Sequence, residues 1–185
     1  MTKPTVLALA GRRIDAPGAA EPRFPAAQVP AVRERLRELL ASTGATALVC
    51  SAACGADLLA LEVAGEAQLR RRVILPFDMA RFRTTSVVDR GREWGDVFDR
   101  VMRALPAIDR VVLNLRESDD AYTRTNVEIL DHAQQLAGAA GPVHAVIVWN
   151  GVPRGADDIT LQFAETARAR GLPVTEILTI APGSA

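Results

Sequence analysis

The chain has 185 residues, of which 49% are hydrophobic and only 4% are aromatic. This length suits one domain with a full core of Ala, Val and Leu. We expect that domain over residues 1–180, with 181–185 as a flexible tail. Lys and Arg together number 22, as do Asp and Glu, so the formal net charge is zero. A balanced charge argues against nucleic acid as a partner.

No apolar run reaches the roughly 18 residues that a transmembrane helix needs, and the first residues lack a signal-peptide pattern. We therefore expect a cytoplasmic protein that makes no membrane contact. The two cysteines, Cys50 and Cys54, are too few to hold a structural zinc ion. We expect them to be buried thiols, and the sequence predicts neither a metal nor a cofactor.

Six short apolar runs alternate with helical patterns along the chain. The predicted strands are Thr5–Ala10, Thr46–Cys50, Arg72–Leu75, Arg110–Leu115, Val143–Trp149 and Pro173–Ile180. Such alternation is typical of a parallel sheet with helices on both faces. We therefore predict an α/β protein with a Rossmann-like, three-layer, doubly wound sheet. The predicted strand order is 3-2-1-4-5-6, with strand one beside strand four.

Helical patterns fill the segments between these strands. Pro30 suits the first turn of a helix that Gly44 ends, and a buried helix is predicted from Asp57 to about Leu69. The remaining predictions are two helical pieces over Phe77–Leu105 broken around Asp89–Gly91, a helix opened by a capping box at Thr125–Glu128, and a helix over Thr160–Arg170.

Sheets of this kind bind ligands beyond the carboxyl ends of their strands, at the switch in strand order. The loops expected there are Gly11–Arg13, Ser51–Asp57, Arg116–Thr125 and Asn150–Asp158. The small residues of the second loop leave room for a ligand against the backbone, and helix N-terminal amides attract anions. The alternative is a tight packing turn in which Asp57 only satisfies the helix dipole. An arginine directly after strand one, Arg12 or Arg13, could bind a phosphate or carboxylate through two hydrogen bonds.

Several motifs follow one another along nearly the whole chain: Gly11–Gly18, Ala53–Asp57, Leu75–Val87, and the Trp149-Asn150-Gly151 turn. Together they resemble the SLOG superfamily, which includes the Smf/DprA DNA-processing proteins and the Lonely Guy nucleotide hydrolases. The resemblance is to a bacterial branch often fused to TIR, TPR or cyclase-type signalling modules. It implies a Rossmann-like fold that handles nucleotides or nucleotide-derived ligands.

The chain departs from the superfamily at the turn after the fifth strand. A Gly-Gly-Thr turn is expected there, and Asp158-Ile159-Thr160 stands in its place. The charge of Asp158 would oppose a phosphate, although Asp is also a good helix N-cap. The Lonely Guy hydrolases also carry a Glu three residues after that Thr, where this chain has Phe163.

These observations predict a sensor or regulatory module that binds a nucleotide or nucleotide-derived signal, with a homodimer or an effector protein as further candidate partners. The expected ligand-binding residues are Gly11, Arg12, Arg13, Ser51, Ala52, Gly55, Asp57, Asn126, Asn150, Gly151 and Thr160. Whether the protein is an enzyme is left open. The alternatives are a nucleotide N-glycosidic hydrolase or nucleoside transferase, using Glu62 or Asp57 as its carboxylate, and a DprA-like DNA-binding protein.

Overall fold

The computed structural model describes residues 5–139 and 141–180, so the expected tail, 181–185, lies outside the described residues. Six strands form one sheet: β1 (Thr5–Gly11), β2 (Ala45–Cys50), β3 (Arg70–Leu75), β4 (Arg110–Val112), β5 (Val143–Trp149) and β6 (Val174–Leu178). The α-helices are α1 (Val29–Thr43), α2 (Ala56–Glu66), α3 (Met79–Ser86), α4 (Glu93–Ala104), α5 (Asp119–Ala137) and α6 (Ile159–Ala169). All neighbouring strands pair in parallel. The α/β class and the single Rossmann-like parallel sheet are therefore confirmed.

The strand order is β4-β3-β2-β1-β5-β6, so the predicted order 3-2-1-4-5-6 is wrong in the place of the fourth strand. β1 is central, but its neighbours are β2 and β5. The chain adds β2, β3 and β4 on one side of β1. It then returns through α5, which contacts β3, β2, β1 and β5 on its way to the other side.

The short length and partial exposure of β4 explain its place at the edge of the sheet. It has only three residues, and Arg110 is exposed while Val111 and Val112 are half-buried. A central parallel strand is covered on both faces and reads as a buried run. Asn114 takes a positive φ of 55°, which ends the strand before the predicted Leu115.

The sheet divides the core into two layers. Alternate residues of β1 point to opposite faces: Leu7 and Leu9 pack with α1 to α4, and Ala8 and Ala10 pack with α5 and α6. Helices therefore cover both faces, as the alternating pattern predicted. No helix among the described residues combines the length and the apolar character needed to cross a membrane.

The helix between β4 and β5 begins earlier than the capping box indicated. Ser118 is the N-cap of α5, and its hydroxyl accepts a hydrogen bond from the backbone N–H of Ala121. Thr125 lies in the second turn, where its hydroxyl donates to the carbonyl of Ala121 at 2.7 Å. The capping-box prediction at Thr125–Glu128 is therefore wrong. Two acidic residues in the first turn, Asp119 and Asp120, favour the earlier start through the helix dipole.

Candidate functional site

A cavity of about 290 Å³ lies beyond the carboxyl ends of β1 and β2. The end of β1 and the loop between β2 and α2 form one part of its wall, and α3, α5 and the start of α6 form the rest. Six of the predicted ligand-binding residues line it: Gly11, Arg13, Ser51, Asp57, Asn126 and Thr160. Residues that were selected because they follow strand ends therefore lie together at one cavity.

Five other predicted residues do not line this cavity: Arg12, Ala52, Gly55, Asn150 and Gly151. Ala52 is fully buried in the core, and Gly151 is exposed in the loop after β5. The remaining three have structural partners that the sequence did not reveal.

Arg12 is a buried structural cation, with 4% of its surface exposed. Its guanidinium forms two short contacts with Asp158, Nη1 to Oδ1 at 2.8 Å and Nη2 to Oδ2 at 2.7 Å. It also donates to Asn150 Oδ1 at 3.1 Å and to the carbonyl of Val152 at 2.9 Å. With these bonds made, Arg12 is not available to a ligand.

Asp158 occupies the anion position at the N-terminus of α6. Its carboxylate accepts hydrogen bonds from the backbone N–H groups of Thr160, Leu161 and Arg154, in addition to those from Arg12. Burial raises the pKa of Asp158, but the hydrogen bonds from Arg12 and the backbone outweigh burial and lower the pKa to about 2. The negative charge that a phosphate would bring to this turn is therefore already supplied by the protein.

Gly55 holds the second loop against the segment after β1. It takes a φ of 102° and forms an isolated bridge with Arg13. A Cβ at this position would overlap the backbone nitrogen of Ile14. Glycine is required here because the backbone conformation and the close approach both exclude a side chain.

Arg13 lines the cavity, whereas its neighbour Arg12 does not. It forms an ion pair with Asp89 in the segment between α3 and α4. Its Nε is buried and has no hydrogen-bond partner in the described part of the chain. Arg13 therefore retains a donor that a molecule in the cavity could satisfy.

Asp57, in the first turn of α2, is the most unusual group of the cavity. Only 7% of its surface is exposed. Its Oδ2 accepts a hydrogen bond from the backbone N–H of Ala53 at 3.2 Å, whereas its Oδ1 has no partner. Burial raises the pKa of Asp57, whereas the Ala53 hydrogen bond and the charge of Arg13 lower it. Burial has the larger effect, and the resulting pKa is about 7. This carboxyl therefore changes its charge near neutral pH.

The opposite wall belongs to α3 and α5. Tyr122 of α5 lies edge-on to Phe77 with ring centroids 6.1 Å apart, and its hydroxyl lies 3.2 Å from Ser86 Oγ. Asn126 donates from its side chain to the carbonyl of Ile159 at 3.0 Å, which ties α5 to α6. Phe82 and Ser86 of α3 were missing from the predicted site, although both lie in the Leu75–Val87 segment that resembles the superfamily.

Glu62, the other predicted carboxylate candidate, lies outside the cavity lining. It pairs with Arg33 of α1 at 2.6 Å and with Arg100 of α4 at 2.5 Å. These contacts join three helices on one face of the sheet, so of the two predicted carboxylate candidates only Asp57 lines the cavity. Within residues 5–139 and 141–180, no three His, Cys, Asp or Glu side chains cluster as a metal site would require.

The cavity thus combines a partly unbonded carboxyl, a partly unbonded guanidinium, amide and hydroxyl groups, and aromatic surface. Comparison with known proteins adds no identity to this geometry. No family model matches the chain, and no curated protein matches it significantly.

Proposed function

We propose that this chain binds a nucleotide or nucleotide-derived signalling ligand in the cavity beyond β1 and β2, and acts as a sensor or regulatory module. The observation that carries the proposal is the position of two unbonded polar atoms. Only Arg13 Nε and Asp57 Oδ1 are buried without a hydrogen-bond partner among the described side chains, and both residues line this cavity. Buried polar groups are nearly always bonded, so we expect a molecule bound in this cavity to supply partners to both residues.

The remaining lining suits the parts of a nucleotide. Tyr122, which is half-buried, offers aromatic surface to a base, and Arg13 and Arg154 offer positive charge to a phosphate. The volume of about 290 Å³ lies near the lower limit of ligand pockets, which run from roughly 300 to 1,000 Å³. A mononucleotide fits this size better than a dinucleotide.

Thermal unfolding with a panel of ribonucleoside monophosphates, diphosphates and cyclic nucleotides tests the proposal. A ligand at 100 times its dissociation constant stabilises the folded state by about 2.7 kcal/mol. Ser51→Leu, which fills the cavity, is expected to remove the shift. Ser42→Leu, the same change at an exposed position of α1, is expected to retain it. If no nucleotide stabilises the wild type more than Ser51→Leu, the proposal fails.

One observation favours turnover as a second candidate function. A cavity carboxyl with a pKa of about 7 is suited to general acid–base chemistry, which N-glycosidic hydrolysis requires. The position where the Lonely Guy hydrolases carry their Glu holds Phe163, which is 1% exposed and packed in the core. Incubation with nucleoside monophosphates is expected to release no free base. Steady release that disappears in Asp57→Asn would favour the hydrolase.

A further inference from the structure

The side chain of Asp57 is half satisfied in a way that specifies its missing partner. Ala53 supplies a backbone donor to Oδ2, and nothing bonds to Oδ1. The residue is more than nine-tenths buried and lines the cavity. An ionised carboxylate only accepts hydrogen bonds, so the group that completes this carboxylate is a hydrogen-bond donor, and a molecule in the cavity that Asp57 lines could supply it.

The charge of that donor follows from the surroundings. An ionised phosphate has only acceptor oxygens and carries the same sign as the Asp57 carboxylate, so it is disfavoured beside that carboxylate. A cation is disfavoured because the charge of Arg13 already acts on Asp57. A neutral donor remains, and nucleotides have such donors on the sugar, as hydroxyls, and on the base, as N–H groups.

We propose that Asp57 binds an uncharged donor of the nucleotide, a sugar hydroxyl or a base N–H, and thereby orients the ligand with its phosphate away from α2. This inference rests on the proposed function and deepens it by naming the group that the cavity selects. Arg13 Nε, the other unbonded atom, supplies the complementary donor to an acceptor on the same ligand.

Ionisation of Asp57 is then linked to binding. A ligand donor stabilises the carboxylate, so binding is expected to strengthen as the pH rises from 6 to 8 and to release protons near neutral pH. The titratable and charged groups that act on Asp57 or share its cavity are Arg13 after β1, Cys50 on β2, Asp119 and Tyr122 on α5, and Arg154 before α6.

Asp57→Asn separates the hydrogen bond from the shape of the cavity. The amide oxygen must face the N–H of Ala53, so the amide nitrogen takes the position of Oδ1. An acceptor then becomes a donor, and a ligand donor meets another donor. Glu62→Gln is the matched control, because it makes the same chemical change on the same helix outside the cavity.

Affinities of the four ribonucleoside 5′-monophosphates and their 2′,3′-dideoxy counterparts are measured by calorimetry on the wild type, Asp57→Asn and Glu62→Gln between pH 6 and 8. At least one ribonucleotide is expected to bind Asp57→Asn ten- to a hundredfold more weakly and Glu62→Gln unchanged. The affinity of the wild type should rise with pH relative to the affinity of Asp57→Asn. Taking this ratio cancels the titration of the nucleotide's phosphate, because both proteins bind the same ligand.

The dideoxy compounds identify the source of the donor. If a sugar hydroxyl supplies it, the dideoxy form loses at least tenfold in the wild type and little in Asp57→Asn. If the base supplies it, the dideoxy form binds as well as its parent and remains sensitive to Asp57→Asn. Equal binding of a ribonucleotide to the wild type and Asp57→Asn, or weaker wild-type binding at higher pH, overturns the inference while nucleotide binding stands. Failure of every nucleotide to bind overturns the proposed function and this inference together.

Discussion

Asp57 and Asp158 are the same residue type in closely similar positions, yet their chemistry differs. Each is buried at the start of a helix that follows a central strand, at the same edge of the sheet. Asp158 accepts hydrogen bonds from Arg12 and three backbone N–H groups, and its pKa falls to about 2. Asp57 accepts one, and its pKa rises to about 7.

The hydrogen-bond partners of a buried carboxylate decide what that carboxylate does. At α6 the bonds are complete, so the charge stabilises the fold and offers nothing to a ligand. At α2 the bonds are incomplete, so the fold bears a cost that a ligand can remove. Both aspartates satisfy the rule that an acid near a helix N-terminus is favourable, and that rule alone does not distinguish them.

The largest effect is expected from removing the charge of Asp158. Asp158→Asn keeps an N-cap side chain on α6, because Asn caps helices well. It leaves Arg12 buried without its counter-ion, which costs about 3–5 kcal/mol. Urea unfolding at pH 7 measures the loss, with Asp157→Asn at the exposed neighbouring position as the control. A loss below about 1 kcal/mol would contradict the assignment of this pair to the fold.

An intermediate effect of opposite sign is expected at Asp57. Its pKa is about 7 in the folded protein, against an ordinary value of 3.8, so the folded state holds the proton more tightly than the unfolded state. Between pH 4 and pH 7 this group therefore makes folding less favourable as the pH rises, by up to about 4 kcal/mol. The free energy of unfolding of ligand-free Asp57→Asn, relative to that of the wild type, should therefore increase across that range.

The measurement is urea unfolding of both proteins at several pH values, where all other titrating groups are shared and cancel. A difference between the two proteins that stays constant from pH 4 to pH 8 would show that Asp57 has an ordinary pKa. The contrast with Asp158 would then be one of hydrogen bonding alone.

The smallest effect is expected at Glu62, which provides a carboxylate outside both sites. Its pairs with Arg33 and Arg100 lie near the surface, where such pairs contribute about 0–1 kcal/mol. Glu62→Gln should lower the free energy of unfolding by no more than that and leave nucleotide affinity unchanged. A large loss of affinity would instead place the outer face of α2 in the binding site.

Local patterns predicted most of the fold. The apolar runs located all six strands, and Asp89–Gly91 falls in the break between α3 and α4. The strand order was wrong because it depends on which helix packs across the sheet. No local pattern records that α5 spans from β3 to β5.

The wrong strand order also affected the prediction of the site residues. Arg12 and Arg13 are adjacent, and the sequence offered both as ligands. Because β5 rather than β4 lies beside β1, the loop after β5 brings Asp158 to Arg12. The two form an ion pair, so Arg12 is not available to a ligand. Arg13 faces the other way, toward the second loop. Distinguishing the two arginines required the strand order.

The Arg12–Asp158 pair also has a consequence for biosynthesis. The two residues are separated by 146 positions, which a ribosome adding about 5–20 residues per second covers in roughly 7–30 s. During that interval β1 has an open edge and a cation whose partner does not yet exist, while β2 to β4 can already assemble. A sheet of β1 to β4 therefore lacks the strand that pairs with the second edge of β1. Once β5 and Asp158 are synthesised, they cover that edge and neutralise the charge of Arg12.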